Sequence, residues 1–314
     1  VGLFGIGTFS QVNGISSAVN NFFDPKNQHT VKVLPFLGEY SWSVVIASLV
    51  LAFCVAAVLI GGVKRIASVS QIIVPFMAVI YIVFVLVLVV CNITAVPAAF
   101  ATIVKAAFSP KAITGGAVGS FLVAMQKGVA RGIFSNEAGL GSAPIAAQTK
   151  EPVRQGLVSM TGTFIDTIVI CTLTGLSIVL TGAWQVDGLE GVQVTTYAFQ
   201  NGLPLPKELS AFVLMLCLVF FAFTTILGWD YYSERCLEYL SGGRMKYVKV
   251  YRWIYILAVF IGPYMTVSAV WTIADIFNGL MALPNMIALF ALSGVVVKET
   301  RHFFERHRNG EIED

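Results

Sequence analysis

The feature that most constrains this chain is a series of long apolar runs, each about as long as a helix that crosses a lipid bilayer. The run from Ile72 to Val90 contains no charged residue. A hydrocarbon layer about 30 Å thick is spanned by roughly 20 apolar residues in an α-helix. Ten-residue segments of alternating polarity, which are typical of an outer-membrane barrel, do not occur in the sequence. The pattern predicts an all-α, polytopic helical membrane protein.

Eight such transmembrane segments are predicted, separated by stretches rich in Gly, Pro, Asn and charged residues. They lie at about 1–20, 42–62, 70–91, 116–149, 156–182, 209–232, 251–274 and 279–297. We interpret 1–314 as a single transmembrane domain that ends in a cytoplasmic tail at 298–314. The fourth segment is too long for one crossing and is interrupted by glycines, which sets it apart from the others.

The composition excludes several classes of protein. Of the 314 residues, 57% are hydrophobic and 12% are charged, against about 25% charged in a typical soluble domain. So few charges are too few to cover a water-soluble core, which argues against a cytosolic enzyme and a disordered chain. The net charge of +3 gives no reason to expect nucleic acid as a partner. The expected surroundings are the lipid bilayer.

The positive charges are unevenly divided between alternate loops, and this asymmetry predicts orientation because cytoplasmic loops are enriched in Lys and Arg. The richer set of loops holds thirteen: Lys64, Arg65, Lys150, Arg154, Arg235, Arg244, Lys246, Lys249, Arg252, Lys298, Arg301, Arg306 and Arg308. The other set holds five: Lys26, Lys32, Lys105, Lys111 and Lys207. Both termini are therefore predicted to be cytoplasmic, in a multi-pass protein of the cell (plasma or inner) membrane.

The fourth segment is predicted to be a broken helix. Gly139 and Gly141 weaken helical structure, Ser135 and Asn136 compete for backbone hydrogen bonds, and Glu137 adds a carboxylate at membrane depth. An unwound backbone in lipid is tolerated where protein or a water-filled cavity satisfies its polar groups. The free ends of such a helix offer carbonyl groups to a cation and N–H groups to an anion. The break is therefore a candidate substrate site.

Two further expectations concern the same segment. Ser142 and Pro144 are suited to restarting a helix after the break. The alternative to a break is a face of small residues for close helix packing, and the spacing Gly115/Gly119 and Gly128/Gly132 favours that alternative for those four glycines.

Two positive charges, Lys127 and Arg131, also lie in the fourth segment. Either they face the cavity at the break or they are charge partners of Glu137 or Asp166, and the partner role is the favoured interpretation. Asp166 itself lies about ten residues into the fifth segment, near the midplane, where a carboxylate can pair with a neighbouring helix, orient the break or coordinate a cation.

Four stretches resemble the sodium:alanine symporter family, the alanine or glycine:cation symporters. They are Gly132-Ile-Phe-Ser-Asn-Glu-Ala-Gly-Leu-Gly-Ser-Ala-Pro144, Gln155-Gly-Leu-Val-Ser-Met-Thr-Gly-Thr-Phe-Ile-Asp-Thr167, Gly61-Gly-Val-Lys-Arg-Ile66 with Val74-Pro-Phe-Met77, and Phe223-Thr-Thr-Ile-Leu-Gly-Trp229. The resemblance extends over nearly the whole chain. It implies a leucine-transporter-like inverted-repeat fold, usually with eleven spans. This chain would then lack the first three spans, including the first broken helix.

The resemblance also implies roles for particular residues. Thr224 and Thr225 would supply hydroxyl ligands to a sodium ion, although a threonine in a membrane helix commonly donates to the carbonyl four residues earlier. Gln11 would contact substrate, and from the residues alone it would equally serve as polar contact between helices. Ile133 and Phe134 would wall a pocket for a small side chain.

With these roles assigned, the predicted substrate-binding set is Gln11, Ile133, Phe134, Ser135, Asn136, Gly139 and Gly141, supported by Arg131, Glu137 and Asp166. The predicted function is sodium-coupled symport of a small neutral amino acid, alanine or glycine, into the cell. The co-transported sodium ion is the expected cofactor. Proton coupling through Glu137 or Asp166 is the alternative, and a channel is a further one. Neither a phosphate-binding loop nor a hydrolase motif occurs in the sequence, so we expect a transporter and not an enzyme.

Overall fold

The computed structural model describes residues 7–32, 38–107, 117–146 and 149–311. Its α-helices are α1 (Phe9–Phe23), α2 (Trp42–Leu59), α3 (Val63–Cys91), α4 (Val96–Ala107), α5 (Ala117–Asn136), α6 (Pro152–Leu180), α7 (Val192–Gly202), α8 (Lys207–Leu240), α9 (Met245–Ile261) and α10 (Val267–Arg308). A short antiparallel hairpin of β1 (Thr30–Lys32) and β2 (Glu39–Ser41) links α1 to α2. The all-α class predicted from the apolar runs is confirmed.

Five of these helices are long and apolar enough to cross a membrane: α2, α3, α6, α8 and α10. The helices α4, α5 and α9 are shorter or less apolar, and α1 begins close to the edge of the described part of the chain. The structure therefore supports a multi-pass helical protein, and the full scheme of eight crossings stays a prediction.

The predicted boundary between the seventh and eighth segments is wrong. The segment predicted at 251–274 contains the end of α9 at Ile261 and a turn at Gly262–Tyr264, followed by the start of α10. Pro263 in this turn lacks a backbone N–H and cannot continue the helical ladder. The segment predicted at 279–297 is the middle of α10, a helix of 42 residues that accommodates Pro284 without ending. That helix also includes residues 298–308, so most of the predicted tail is helical.

Two apolar clusters hold the helices together, and α8 belongs to both. One cluster packs α1, α2, α8 and α9 around fully buried side chains such as Val12, Val55 and Ile226. The second packs α3, α7 and α8 around Val85 and Phe199. Because helices in lipid associate mainly through close van der Waals packing, the helix shared by both clusters, α8, is the central structural element of the described chain.

Polar contacts between helix ends form two groups, at opposite ends of α10. At its C-terminal end, the Arg306 guanidinium donates to Glu151 at the start of α6, over 2.8 Å. Next to its N-terminal end, the Tyr264 carbonyl accepts from the Tyr40 hydroxyl over 2.8 Å, and the Ser48 and Tyr264 hydroxyls are 2.7 Å apart. A 42-residue helix is about 60 Å long, so these two groups of contacts lie far apart along α10.

The exposed end of α1 carries a further network in the second group. Asp24 accepts a hydrogen bond of 2.7 Å from the Ser41 hydroxyl and one of 2.9 Å from the backbone N–H of Gln28. These hydrogen bonds to the charged form, the one from Ser41 first, hold the pKa of Asp24 below its usual value. The network fixes the chain between α1 and β2.

Candidate functional site

The predicted break in the fourth segment is present. The helix α5 ends at Asn136, and Glu137, Gly139 and Gly141 all have positive φ angles of 56°, 84° and 79°. Only Gly adopts such angles without steric cost, so the two glycines fit their positions while Glu137 is strained. The expected restart is only partly realised, because Ser142 is followed by one 3-10 turn, Ala143–Ala146, and the next α-helix begins at Pro152.

Local side-chain hydrogen bonds explain why the chain leaves the helix here. The Asn136 side-chain oxygen accepts from the backbone N–H of Ala138 over 2.8 Å, which replaces a helical bond with a turn. The Ser142 hydroxyl donates to the Glu137 carboxylate over 2.6 Å and closes a loop across the break. The strained conformation of Glu137 is thus held by its own neighbours in sequence.

A segment of α6 binds the break from one side. The Ser135 hydroxyl donates to the Asp166 carboxylate over 2.7 Å, and the Asn136 amide donates to the Thr167 hydroxyl over 3.1 Å. Both partners lie in a π-helical stretch, Ile165–Cys171, inside α6. A π-bulge carries an extra residue in the helical ladder and often occurs at functional sites. Asp166 therefore orients the break, one of the three roles left open for it by the sequence.

A residue of α10 binds the break from another side. The Asn285 amide donates to the Gly139 carbonyl over 2.9 Å. Its side-chain oxygen lies so close to Gly141 that an added Cβ would come within 3.0 Å of it. Pro284 precedes Asn285 and removes one bond from the α10 ladder. Asn285 thus satisfies a backbone carbonyl that the unwound segment leaves without a helical partner.

A cavity of about 450 Å³ opens beside the unwound segment. Break residues such as Glu137 and Ser142 line it, together with Gln155 and Ser159 of α6, Tyr232 of α8 and Asn285. Pockets for small molecules typically have volumes of about 300–1,000 Å³ and combine an apolar wall with a few polar groups. The cavity therefore has the size and the mixed lining of a small-molecule site.

Arg131 lies just over one turn before the break, and its predicted pairing with Glu137 or Asp166 is wrong. Its guanidinium donates to both carboxylate oxygens of Asp275 in α10, over 2.6 and 2.8 Å. It also lies 4.1 Å from the centre of the Trp271 ring, a cation–π contact. Arg131 lies within α5, and Glu137 lies after the end of that helix. The long Arg131 side chain therefore reaches α10 and not the break.

Ile133 and Phe134 lie in the last turn of α5 and are not among the residues that line the 450 Å³ cavity. Both pack against a small apolar cluster centred on Leu140 and on Trp229 of α8. The Phe134 ring also lies 4.9 Å from the Trp271 ring. Trp229 of α8 is 3% exposed and packs against Leu140 in the broken segment.

The other predicted site residues lie outside this hydrogen-bonded group. Gln11 is half-buried in α1, beside a cavity of about 510 Å³ lined by Asn13 and Trp271. Thr224 donates to the carbonyls of Phe220 and Phe221, each over 3.0 Å, and Thr225 donates to Phe221 over 2.9 Å. Both threonine hydroxyls therefore make the local bonds that the alternative interpretation expects, and their lone pairs remain able to face a cation.

The packing of small residues predicted at Gly128 and Gly132 is not formed among the described residues. A Cβ added at either position would meet none of their atoms within 4 Å. Gly115 and the side-chain surroundings of Gly119 lie outside the described part of the chain.

The electrostatics of the break favour a positively charged group. Glu137 and Asp166 bring two carboxylates to it, and they lie close enough to act on each other. The C-terminal end of α5 adds the negative end of a helix dipole. Carboxylate, carbonyl, amide and hydroxyl oxygens are the ligands that a hard cation such as sodium takes, and they also bind an ammonium group.

Sequence reasoning missed Asp275, Asn285 and Trp271 of α10. All three lie in a continuous helix, at positions where the sequence contains no break, repeat or motif. The available signal is an ionisable or amide side chain inside an apolar helix, which is costly in lipid and usually functional.

A broken helix beside a small polar cavity, within a bundle of apolar helices, is an arrangement that multi-pass transporters use at their substrate sites. The model of the sodium:alanine symporter family matches residues 1–314, and the chain belongs to that family.

Curated relatives agree with this assignment. The chain is 50% identical over 310 residues to an uncharacterized transporter of Haemophilus influenzae and 44% identical over 314 residues to the sodium/alanine symporter AgcS of Methanococcus maripaludis. Each match covers 98% of this chain and 63% of the relative. A sodium/proton-dependent alanine carrier protein of Bacillus sp. (strain PS3) is 33% identical over 267 residues, or 80% of this chain and 59% of that protein. The chain thus spans about three-fifths of the length of these relatives.

Proposed function

We propose that these residues form part of a carrier that moves a small neutral amino acid, alanine or glycine, into the cell together with sodium. The observation that carries the proposal is the broken end of α5. It brings the Glu137 carboxylate, the Asn136 amide and the Ser142 hydroxyl to one cavity at the carbonyl end of a helix, and Asp166 binds the neighbouring Ser135. A zwitterion has a positive and a negative end, and this site contains both hydrogen-bond acceptors and donors for them.

The substrate is proposed to bind between the unwound segment and α6. Its ammonium group would contact the carbonyl end of α5 near Gly139 and Gly141, and its carboxylate would accept from the second N–H of the Asn136 amide, the first being donated to Thr167. Ile133 and Phe134 would limit the size of its side chain. One methylene changes binding by only about 1–3 kcal/mol through apolar contact, so steric exclusion by this wall would have to reject larger amino acids.

Sodium is proposed to bind at Thr224 and Thr225, in the middle of α8. Their hydroxyl oxygens each retain a lone pair after donating to the helix, and Thr224 is buried. Trp229, just over one turn further along, packs on Leu140 in the broken segment. Occupancy of the threonine site would therefore act on the substrate site through α8.

In the complete carrier we propose eight crossings within this chain, arranged as the last eight spans of a leucine-transporter-like inverted repeat. Gln11 would complete the substrate site together with a second broken helix in the remaining part of the full-length carrier. The carrier would lie in the cell membrane with residues 298–314 in the cytoplasm. Accordingly, the 314-residue chain expressed alone should not transport alanine.

The test is uptake of radiolabelled alanine by proteoliposomes that contain the full-length carrier. An inward sodium gradient should accelerate uptake at least tenfold over potassium or choline at equal ionic strength. Uptake that is unchanged when sodium is replaced would contradict the proposal. Rapid uptake by the 314-residue chain alone would contradict the assignment of part of the site to residues outside it.

A proton-coupled carrier is the second candidate, because the Bacillus relative is named as sodium/proton-dependent. Glu137 and Asp166 are the carboxylates at the break that would hold the proton. The two candidates differ in which imposed gradient drives uptake in the same vesicles: a sodium gradient at equal pH, or a pH gradient without sodium.

A further inference from the structure

Asp230 is a buried carboxyl group that the proposed transport site does not use. It lies in the second half of α8, ten residues before the end of the helix, and its exposed fraction is 0%. Neither of its two carboxyl oxygens has a hydrogen-bond partner among the described residues. An ionised carboxylate without a donor or counter-ion is among the most costly groups to bury, and so this position requires a physical explanation.

The groups that face Asp230 do not neutralise it. Glu234, one turn further along α8, is 1% exposed and binds Arg252 of α9 through two hydrogen bonds, Nε to Oε1 over 2.6 Å and Nη2 to Oε2 over 2.9 Å. Two tyrosines of α9 also face it, Tyr251 and Tyr255. The Tyr255 hydroxyl donates instead to the Ile226 carbonyl, over 2.8 Å.

The balance of charges then decides the state of Asp230. The Arg252 guanidinium faces two carboxyl groups, Glu234 and Asp230. Glu234 already binds it through both carboxylate oxygens, the bidentate geometry that gives the strongest pairing. Two carboxylates one turn apart on a helix repel each other, and in a buried pair of this kind one member holds a proton. Glu234 has the cation, so Asp230 is the member that takes the proton.

We propose that Asp230 is a proton-binding site of this carrier, separate from the break in α5, and that it is occupied while the α8–α9 interface is closed. One Oδ atom takes a proton from water and the group becomes a neutral carboxylic acid. When water reaches the site, the O–H bond breaks and the proton returns to water. The proton occupancy does not depend on the proposed function, whereas its effect on transport does.

Infrared spectroscopy of the full-length carrier tests the occupancy directly, because a carboxylic acid and a carboxylate have different C=O stretching bands. The spectrum of the wild-type protein at neutral pH should contain an acid band, shifted in heavy water, that is absent from Asp230→Asn. The control Asp187→Asn, in the loop after α6, should keep the band. A wild-type spectrum identical to that of Asp230→Asn in the acid region would overturn the proposal.

A second variant keeps the test decisive if Asp230→Asn does not fold. Glu234→Gln removes the competing carboxylate and frees Arg252 to pair with Asp230, so the acid band should disappear at neutral pH although Asp230 is present. Persistence of the band in that variant would overturn the charge argument. Loss of the wild-type band on adding sodium, with potassium inactive, would show that the site takes a metal cation and would also overturn it.

The pH dependence of alanine uptake tests the effect of this proton on transport. In the wild type the rate of alanine uptake should depend on the pH of the solution with which Asp230 exchanges its proton. For a single group the rate should change by up to about tenfold per pH unit. In Asp230→Asn the rate should be independent of pH within about twofold. An acid band without any sodium-dependent uptake would contradict the proposed function alone, and uptake without the band would contradict this proposal alone.

Discussion

The helix α8 and the break that follows α5 both contain acidic side chains, and they accommodate them in opposite ways. In α8 the helix continues through Asp230 and Glu234, and 44% of the residues in its most apolar 18-residue stretch are buried. In α5 the helix stops at Asn136, and Glu137 lies in an unwound segment held by side chains from α6 and α10. The first arrangement is a packed scaffold, and the second is a set of hydrogen bonds around a cavity.

This difference separates residues that hold the bundle together by packing from residues that position the break by hydrogen bonds. Apolar burial is non-directional and strong in sum, so α8 determines whether the bundle folds. Side-chain hydrogen bonds are directional and worth about 0.5–1.5 kcal/mol each, so the contacts at the break determine where backbone groups point. Changes in α8 should therefore lower stability, and changes at the break should lower binding at nearly constant stability.

The largest effect is expected from truncating the scaffold. Ile226→Ala removes a fully buried side chain of α8 and should destabilise the protein by about 2–5 kcal/mol. Ile287→Ala, in α10, truncates the same residue type where it is 64% exposed. It should change stability by less than about 0.5 kcal/mol. The measurement is the midpoint of thermal unfolding of the purified full-length protein, and equal shifts for both variants would contradict the distinction.

A smaller effect is expected at the two glycines of the break. Both have positive φ, so Gly139→Ala and Gly141→Ala should each cost about 1–2 kcal/mol in backbone strain. Only at Gly141 would the added Cβ also press on the Asn285 oxygen. Gly141→Ala should therefore lower alanine affinity more than Gly139→Ala does. When Asn285→Ala is added to each variant, the part of the affinity difference between Gly141→Ala and Gly139→Ala that is due to crowding should disappear. A double-mutant cycle of Gly141→Ala and Asn285→Ala that shows no coupling would contradict this contact.

Asn285 itself should affect transport more than stability. Asn285→Ala removes the donor to the Gly139 carbonyl and should reduce sodium-driven uptake about tenfold, which corresponds to about 1.4 kcal/mol. Its control is Asn201→Ala, which removes an exposed amide that donates to the Tyr197 carbonyl at the end of α7. If both variants transport equally well, Asn285 does not position the break.

The smallest effect is expected from the Arg131–Asp275 ion pair. Both side chains are about one third exposed, at 35% and 37%, and pairs that solvent reaches contribute about 0–1 kcal/mol. A cycle of Arg131→Gln and Asp275→Asn on unfolding midpoints should give a coupling in that range. A coupling free energy above about 3 kcal/mol would show that this ion pair stabilises the fold as strongly as the packed residues of α8, and would contradict the prediction.

The same contrast explains what could be predicted from the sequence. Apolar runs determine that a segment is a helix, so α2, α3, α6 and α8 lie close to their predicted places. Backbone preferences are local, so Gly139, Gly141 and Asn136 were sufficient to predict the break. The partners of the break were not predictable in this way, because Thr167 and Asn285 reach it only through tertiary packing. The same holds for Arg131, whose nearest carboxylates in sequence are not its neighbours in space.

The account depends most on the claim that the broken end of α5 binds the substrate. Equilibrium binding of radiolabelled alanine to the purified full-length carrier, with sodium or with potassium, tests it without requiring transport. Asn136→Ala should abolish sodium-dependent binding while the unfolding midpoint stays within a few degrees of wild type. Sodium-dependent alanine binding to Asn136→Ala at wild-type affinity would contradict the assignment of the site.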